Sequence, residues 1–282
     1  GTDTLARPGS VAIFFRYWQQ PNPQAPVLVL LHGLGAHTGW FLHFASALHA
    51  RGLTIYALDH RGFGRSGGPR GHVRRGITFI EDIEAFLDEV GPLQPGAPRV
   101  LLGHSMGGLF AVHAAARDAR LGRNRLAGLI LVNPWIRDTS KASLAALATV
   151  LFGGPLGSTA IPPGTDSAKT DTMTTNPEAV RMLLADERWV RRRTASFYFH
   201  VALQLRGQAL RRAGEVRAPA LVIQTEADRA VVAAASLECF KALGSVDKTW
   251  TSIPLLAHDF EFEPERGPLD DEIAGWMARF AV

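Results

Sequence analysis

The stretch Arg99-Val-Leu-Leu-Gly-His-Ser-Met-Gly-Gly-Leu-Phe-Ala-Val-His113 constrains this chain more than any other part of it. The apolar run bounded by Pro98 and Gly103 has the character of a buried strand, and the run after it, rich in Ala and Leu, that of a helix. Ser105 stands between them. Gly103-His104-Ser105-Met106-Gly107 fits the pattern GxSxG, and strand-then-helix is the context in which that pattern forms a nucleophile elbow. In such an elbow the serine occupies strained backbone at a sharp turn, where side chains two positions away on either side would collide across it. Glycine at 103 and 107 removes the collision. Gly108 and Ala111 are small enough to let the following helix approach the sheet closely. Without these flanks the same five residues read as a glycine-rich helix start.

The chain before this turn supplies strands and helices in alternation. Val11 to Trp18 reads as a strand after the turn signal Pro8-Gly9, so the chain opens with a hairpin. Val27 to Leu31 is an unbroken apolar run, as expected of a strand covered on both faces, and it ends in His32-Gly33-Leu34-Gly35. A glycine pair there exposes amides that can serve as an oxyanion hole, or simply turns the chain. A helix is expected from Thr38 to Ala50 with Gly52 at its end, then a strand from Leu53 to Leu58. The loop that follows contains GxGxxG at Gly62, Gly64 and Gly67. A dinucleotide fingerprint needs a helix to open immediately on the pyrophosphate, and Gly68, Pro69 and Gly71 prolong the loop instead. The next helix is expected at Thr78, with Glu81 spaced as a capping box and Ile80, Ile83, Leu87 and Val90 on one apolar face.

After the elbow, Leu126 to Val132 reads as another buried strand, ending at Asn133-Pro134. Alternation this regular predicts a mostly parallel sheet flanked by helices. It stops between Trp135 and Ala213. There Ala142 to Phe152 is an apolar helical segment broken by Gly153-Gly154-Pro155, a polar stretch runs from Gly157 to Asn176, and a helix after Pro177 carries Val180, Leu183 and Leu184 on one side. The expected organisation is a core of residues 1–134 and 214–282 with a helical insertion, 135–213, at the sheet edge where open α/β folds bind ligands. The core resumes with strands at Ala220 to Gln224 and Thr249 to Pro254. Pro268 then opens a final helix with Asp270, Asp271 and Glu272 at its positive end and Leu269, Ile273, Trp276 and Phe280 on its buried face.

A chain of 282 residues with 46% hydrophobic and 20% charged residues describes a globular protein and argues against disorder. No run reaches the roughly 18 apolar residues of a membrane span. The single cysteine, Cys239, excludes an internal disulfide. Residues Gly1 to Thr4 carry no apolar signal segment, so the expected location is cytoplasmic, at most peripheral to a membrane, with export left open by the start at glycine. The net charge of +4 comes mostly from arginines, the densest group being Arg188 and Arg191-Arg192-Arg193, expected to form a solvated face or to meet an anionic membrane. Nucleic-acid binding is not expected, because no basic module with interleaved stacking aromatics is present.

Three chemistry-bearing residues fall at the ends of separate strands: Ser105, Asp228 in Thr225-Glu226-Ala227-Asp228, and His258 in Ala257-His258-Asp259. In a parallel sheet those ends share one edge, so the three can meet. Glu226 is an alternative acid, while Asp59 and the histidines 32, 60, 72 and 104 read as loop organisers and structural hydrogen-bonding groups. The order Ser, Asp, His is that of the α/β-hydrolases, and the sequence resembles that superfamily and within it the monoacylglycerol lipase and lysophospholipase group. The resemblance covers nearly the whole chain. It rests on His32-Gly33-Leu34-Gly35, Asp59-His60-Arg61-Gly62-Phe63-Gly64-Arg65-Ser66, Gly103-His104-Ser105-Met106-Gly107-Gly108, Asp228-Arg229 and Ala257-His258, with Gly68-Pro69-Arg70-Gly71-His72 like an extension seen in monoacylglycerol lipases. The insertion is similar only in outline, in Asn176-Pro177-Glu178 and Asp186-Glu187-Arg188-Trp189-Val190.

The resemblance implies the α/β-hydrolase fold with a helical cap, and hydrolysis of an ester carrying one acyl chain through an acyl-serine intermediate. Ser105 would be the nucleophile, His258 its base and Asp228 the orienting acid, with the backbone amides of Leu34 and Met106 binding the oxyanion. No metal or cofactor is implied. The implied partner is a small lipid ester, with transient contact between the cap and a membrane or lipid aggregate. Other readings are a lysophospholipase, a general carboxylesterase, a serine aminopeptidase, or an acyl-ligand binding protein without turnover.

Overall fold

The computed structural model describes residues 1–7, 11–165 and 170–281 of the chain; the turn signal Pro8-Gly9 lies outside them. Strands β1 (Thr2–Arg7) and β2 (Val11–Trp18) form an antiparallel hairpin, and β2 pairs antiparallel with the strand Thr54–Leu58. The remaining strands are β3 (Val27–Leu31), β4 (Thr54–Leu58), β5 (Arg99–His104), β6 (Gly128–Val132), β7 (Ala220–Thr225) and β8 (Lys248–Ile253). Together they make an eight-stranded sheet in the order β1-β2-β4-β3-β5-β6-β7-β8, parallel from β4 to β8. The unbroken apolar runs are the reason: every residue of β3, β4, β6 and β7 is buried, which only a sheet covered on both faces can provide.

The pleat divides these runs between two cores. Val27, Val29 and Leu31 point to one layer, with α2 (Ile77–Leu93) and α3 (Met106–Arg120). Leu28 and Leu30 point to the other, with α1 (Leu42–Ala50) and α9 (Gly267–Met277). Each such side chain contributes about 1.5–3 kcal/mol of burial. On α2 the expected face of Ile80, Ile83, Leu87 and Val90 is fully buried.

Several element ends differ from expectation. The first helix begins at Leu42 rather than Thr38, because the Thr38 amide donates to Asp59 Oδ1 and the residues after it close tight turns. Helix α2 begins at Ile77 with Gly76 as N-cap, so Thr78 lies inside the first turn and caps nothing; the expected capping box is absent. β6 starts two residues after Leu126, at Gly128, where the Trp276 ring occupies the space a Cβ would need. On α9 the repeat Leu269, Ile273, Met277 is buried, while Trp276 and Phe280 are only half-buried.

Between β6 and β7 the chain is helical and lies over the C-terminal edge of the parallel strands. Helix α4 (Leu144–Ala148) continues through a π-helical stretch, Thr149–Gly153, into a tight turn, Gly154–Leu156. Gly153-Gly154-Pro155 therefore tightens the helix rather than ending it; Gly157, in left-handed backbone, ends it. Helix α5 (Pro177–Ala185) is capped by the Asn176 side chain and buries Ala179 and Leu183, while Leu184 is exposed, contrary to expectation. Helix α6 (Ala195–Phe197) runs through π-helical Tyr198–Leu205 into α7 (Arg206–Ala213). Helix α8 (Ala233–Ala242) packs on β7.

Candidate active site

Ser105 sits between β5 and α3 with φ 52 and ψ −114, backbone that a residue with a Cβ rarely adopts. Three hydrogen bonds hold it there. Its amide donates to the Val132 carbonyl at 3.0 Å, and its carbonyl accepts from the amides of Trp135 at 2.9 Å and Leu109 at 3.1 Å. The glycines around it are required by contact: a Cβ on Gly103 would run into the Gly107 backbone, and one on Gly107 into the Leu31 and His32 carbonyls. The second collision is with β3 rather than across the serine. A Cβ on Gly108 would lie 3.0 Å from Pro134, so the small residue sets how closely α3 approaches the end of β6.

The parallel register brings Ser105, His258 and Asp228 together. Ser105 Oγ lies 2.9 Å from His258 Nε2, and His258 Nδ1 lies 2.7 Å from Asp228 Oδ2. A carboxylate only accepts, so Nδ1 carries the proton and Nε2 presents its lone pair to the serine hydroxyl. Asp228 is held by the Ala230 and Val231 amides, which donate to Oδ1 at 2.7 and 3.0 Å. Glu226, the alternative acid, is exposed and accepts instead from the Ser252 hydroxyl at 2.9 Å. Burial works against the His258 cation, but the Asp228 charge and hydrogen bond outweigh it with help from Asp259, and the imidazole is raised above its ordinary value.

Two further residues aim His258 through its backbone. The His104 Nε2–H donates to the His258 carbonyl at 3.0 Å, and Asn133 Nδ2 donates to the same carbonyl at 3.1 Å and to Thr225 Oγ1 at 2.8 Å. Asn133 also accepts from the Thr225 amide, so it ties the ends of β6 and β7 to the loop bearing His258. Sequence reasoning read Asn133-Pro134 only as a strand end; the structure places Asn133 in left-handed backbone, which asparagine tolerates, and its contacts left no local mark in the sequence.

The other expected organisers take structural places. Asp59 accepts from the Thr38 and Arg65 amides, each at 2.7 Å, and the GxGxxG loop folds around it, with no helix between β4 and Ile77. A Cβ on Gly64 would collide with the Asp59 carboxylate, which accounts for that glycine without a nucleotide. His32 donates from Nδ1 to the Gly33 carbonyl and accepts at Nε2 from the His60 amide; burial lowers its pKa to about 4 and keeps it neutral. Burial likewise holds His60 and His104 well below the ordinary value. His72 bonds the Thr194 hydroxyl. His104, His258 and Asp259 bring ligand-type atoms within 4.8 Å of one another, but both His258 nitrogens are already engaged by Ser105 and Asp228.

Ser105 and His258 open into a cavity of about 510 Å³ reaching under the helices between β6 and β7. Leu34 follows β3 at its wall, and a Cβ on neighbouring Gly33 would lie 3.3 Å from the Ser105 Cβ, so this loop runs against the serine. Met106 is the first residue of α3, where amides have no intrahelical acceptor. Leu147, Val150, Trp189 and Ala202 give the cavity apolar walls. The arginine group is only in part the solvated face expected. Arg188 and Arg192 are exposed, but Arg191 stacks over Trp189, and Arg193 is 6% exposed, lines the cavity and donates to the Val190 and Arg191 carbonyls and the Tyr198 hydroxyl. Asp186, in the stretch Asp186-Glu187-Arg188-Trp189-Val190, is half-buried: it accepts from Trp40 Nε1 and lies against His37 Nε2, each at 2.7 Å.

Residues 22–265 match the family model described as serine aminopeptidase, S33. A monoacylglycerol lipase of Mycolicibacterium smegmatis is 31% identical over 278 residues, covering 97% of this chain and 95% of that protein. Among solved structures, a soluble variant of monoglyceride lipase from Saccharomyces cerevisiae aligns with TM-score 0.83 at 18% identity, covering 99% of this chain and 95% of that one. A Paleococcus ferrophilus monoacylglycerol lipase aligns with TM-score 0.78 at 23% identity, over 95% and 99%. The chain belongs to the serine aminopeptidase S33 family of the α/β-hydrolases, in its monoacylglycerol lipase-like group, and is a serine ester hydrolase.

Proposed function

We propose that this enzyme hydrolyses monoacylglycerols and similar lipid esters of one acyl chain, with Ser105 as nucleophile, His258 as general base and then general acid, and Asp228 as the orienting acid. The observation that carries the reading is the unbroken relay Ser105 Oγ to His258 Nε2 at 2.9 Å and His258 Nδ1 to Asp228 at 2.7 Å, opening on a cavity with apolar walls at Leu147, Val150, Trp189 and Ala202. A serine hydroxyl is a weak nucleophile, so His258 takes its proton as Oγ attacks the ester carbonyl. The amides of Leu34 and Met106 bind the oxyanion, the alcohol leaves with the proton from His258, and water activated by the same imidazole releases the acid from Ser105.

Residues 135–213 act as a cap over this site, and residues 1–134 and 214–282 form the catalytic core. The cap walls favour an acyl chain, since each buried methylene contributes about 0.8 kcal/mol. A peptidase acting on free N-termini needs a carboxylate for the ammonium. Asp138, in the cavity, is already paired with Arg206 and accepts from Trp135 Nε1; burial raises Asp259 to about 7; and Arg193 adds positive charge. Of the cap acids, Glu178 and Glu187 are exposed and Asp186 is engaged by Trp40 and His37, while Asp166 lies outside the described residues. The mycobacterial and yeast relatives named as monoacylglycerol lipases support the ester reading. The cap also offers a lipid-facing surface, with Leu144 86%, Phe152 79% and Leu156 86% exposed.

A fluorophosphonate should label Ser105 and fail on Ser105→Ala. kcat/KM for a medium-chain monoacylglycerol should exceed that for a lysophosphatidylcholine of equal chain length and for any aminoacyl amide. Labelling at another serine would refute the nucleophile, and a preference for either competitor would refute the substrate.

A further inference from the structure

A second cleft, of about 310 Å³, opens between the start of α2, α3 and the long helix that ends in α7. It shares no lining residue with the Ser105 cavity. The helical stretch around Tyr198–Leu205 separates the two, presenting Tyr198, Ala202 and Leu203 to one and His200, Gln204 and Leu205 to the other. Arg75, Arg117, Arg120, Arg212, His113 and His200 line the second cleft, against one carboxylate, Glu215.

The charge there is only partly balanced. Arg212 is paired with Glu215 and Arg117 with Glu84, each through two short contacts. The Arg120 side chain makes no hydrogen bond or ion pair among the described residues. The nearest carboxylate to Arg75 is Glu81 at 3.6 Å, with 68% of the arginine side chain exposed, a pairing that contributes little in water. Helix α2 starts here on Gly76 without a capping side chain, so its amide end adds positive potential. Buried His113 donates from Nε2 to the Leu205 carbonyl at 2.9 Å, which leaves Nδ1 as a hydrogen-bond acceptor.

The cleft also adjoins the exposed apolar patch of the cap. Gly76 abuts the His200 carbonyl, Gly154 packs on Phe199, and a Cβ on Gly157 would lie 3.6 Å from Arg74 Nε, so the segment that carries Phe152 and Leu156 packs on Phe199 and Arg74, the chain neighbours of the cleft residues His200 and Arg75. We propose that this cleft is a phosphate-binding site that takes the headgroup of an anionic, hydroxyl-bearing glycerophospholipid when Phe152 and Leu156 enter a bilayer surface. Arg75 and Arg120 meet the phosphate, and His113 Nδ1 accepts from a headgroup hydroxyl. The proposal rests on the bilayer contact proposed for the cap but concerns a site that takes no part in the chemistry at Ser105.

The test is co-sedimentation of the full chain with vesicles of phosphatidylcholine alone and of phosphatidylcholine mixed with phosphatidylglycerol. The wild type should prefer the mixed vesicles, and Arg75→Gln with Arg120→Gln should weaken that preference roughly five-fold per arginine. Arg51→Gln with Arg279→Gln removes the same net charge away from the cleft and should leave the preference intact. Turnover of a soluble short-chain ester should be unchanged in both double variants, which verifies folding. Equal loss in the two double variants, or equal wild-type binding to both vesicles, would overturn the anionic-lipid assignment of the cleft while leaving the cap contact standing. Failure to bind either vesicle would overturn both. Calorimetric binding of inorganic phosphate with no vesicle preference would identify a soluble anion and overturn the lipid assignment.

Discussion

The Val190 amide donates to the Gly35 carbonyl at 3.0 Å, so the segment between β6 and β7 is hydrogen-bonded directly to the loop that carries Leu34. Gly35 has φ +80, and a Cβ on it would lie 3.0 Å from both Trp189 Nε1 and the Val190 carbonyl. The position of the proposed oxyanion amide and that of the cavity wall are therefore coupled through one backbone contact.

Gly35→Ala should consequently impair catalysis more than binding. Left-handed backbone costs a residue with a Cβ about 1–2 kcal/mol, and Trp189 must also move. For a soluble ester, kcat should fall roughly ten-fold or more with a smaller change in KM, as steady-state kinetics would reveal. An unchanged kcat would show that the loop tolerates the shift.

The choice of acid has a sharp kinetic signature. Asp228→Asn should reduce kcat by about four orders of magnitude, as loss of the orienting carboxylate does in serine hydrolases, whereas Glu226→Gln should stay near wild type. Because Asp228 raises His258, the acid limb of kcat/KM should lie above the ordinary imidazole value of about 6.5: below its pKa the imidazolium cannot accept the serine proton. A pH profile of wild type and Asp228→Asn checks both points. A wild-type limb well below 6.5, or a severe Glu226→Gln, would contradict the relay.

Phe152→Glu places a charge on the exposed part of the cap, outside the residues lining the Ser105 cavity. Hydrolysis of long-chain, aggregated esters should drop several-fold while soluble short-chain esters are spared. Equal losses on the two substrate types would point to a packing role instead.

Beneath His258, Glu261 is buried with neither carboxyl oxygen hydrogen-bonded to a partner, and its Oε2 lies 4.0 Å from His104 Nδ1. Burial, and then the Asp259 charge, push its pKa well above the ordinary carboxyl value. The folded protein therefore keeps a proton that the unfolded chain releases near pH 4.3, so this contribution to stability is complete in acid and is lost as pH rises through the folded value. Glu261→Gln mimics the protonated group. Its Tm should match wild type near about pH 4 and exceed it in mild alkali, by roughly 2–4 °C per kcal/mol recovered. Calorimetry at the two pH values tests this, and a variant less stable in alkali would overturn it.

Strand identity and order of chemistry were legible in the sequence because both are local. Unbroken apolar runs such as Val27–Leu31 report burial on two faces, and the glycines at 103 and 107 report a turn that only small residues permit. Placing Ser105, Asp228 and His258 at strand ends needed no more than that. Local pattern could not say which carboxylate faces His258, since Asp228 and Glu226 are two residues apart and the rotation of one loop sends them to His258 and Ser252. Nor could it place Arg193, whose sequence neighbours Arg188 and Arg192 are exposed while it turns inward to backbone carbonyls. Asn133 and the arginine cleft were beyond it for the same reason. Each depends on the relative placement of elements remote in sequence, as with Ser105 and His258 at a sequence separation of 153, and that separation is closed only by the parallel register of the sheet.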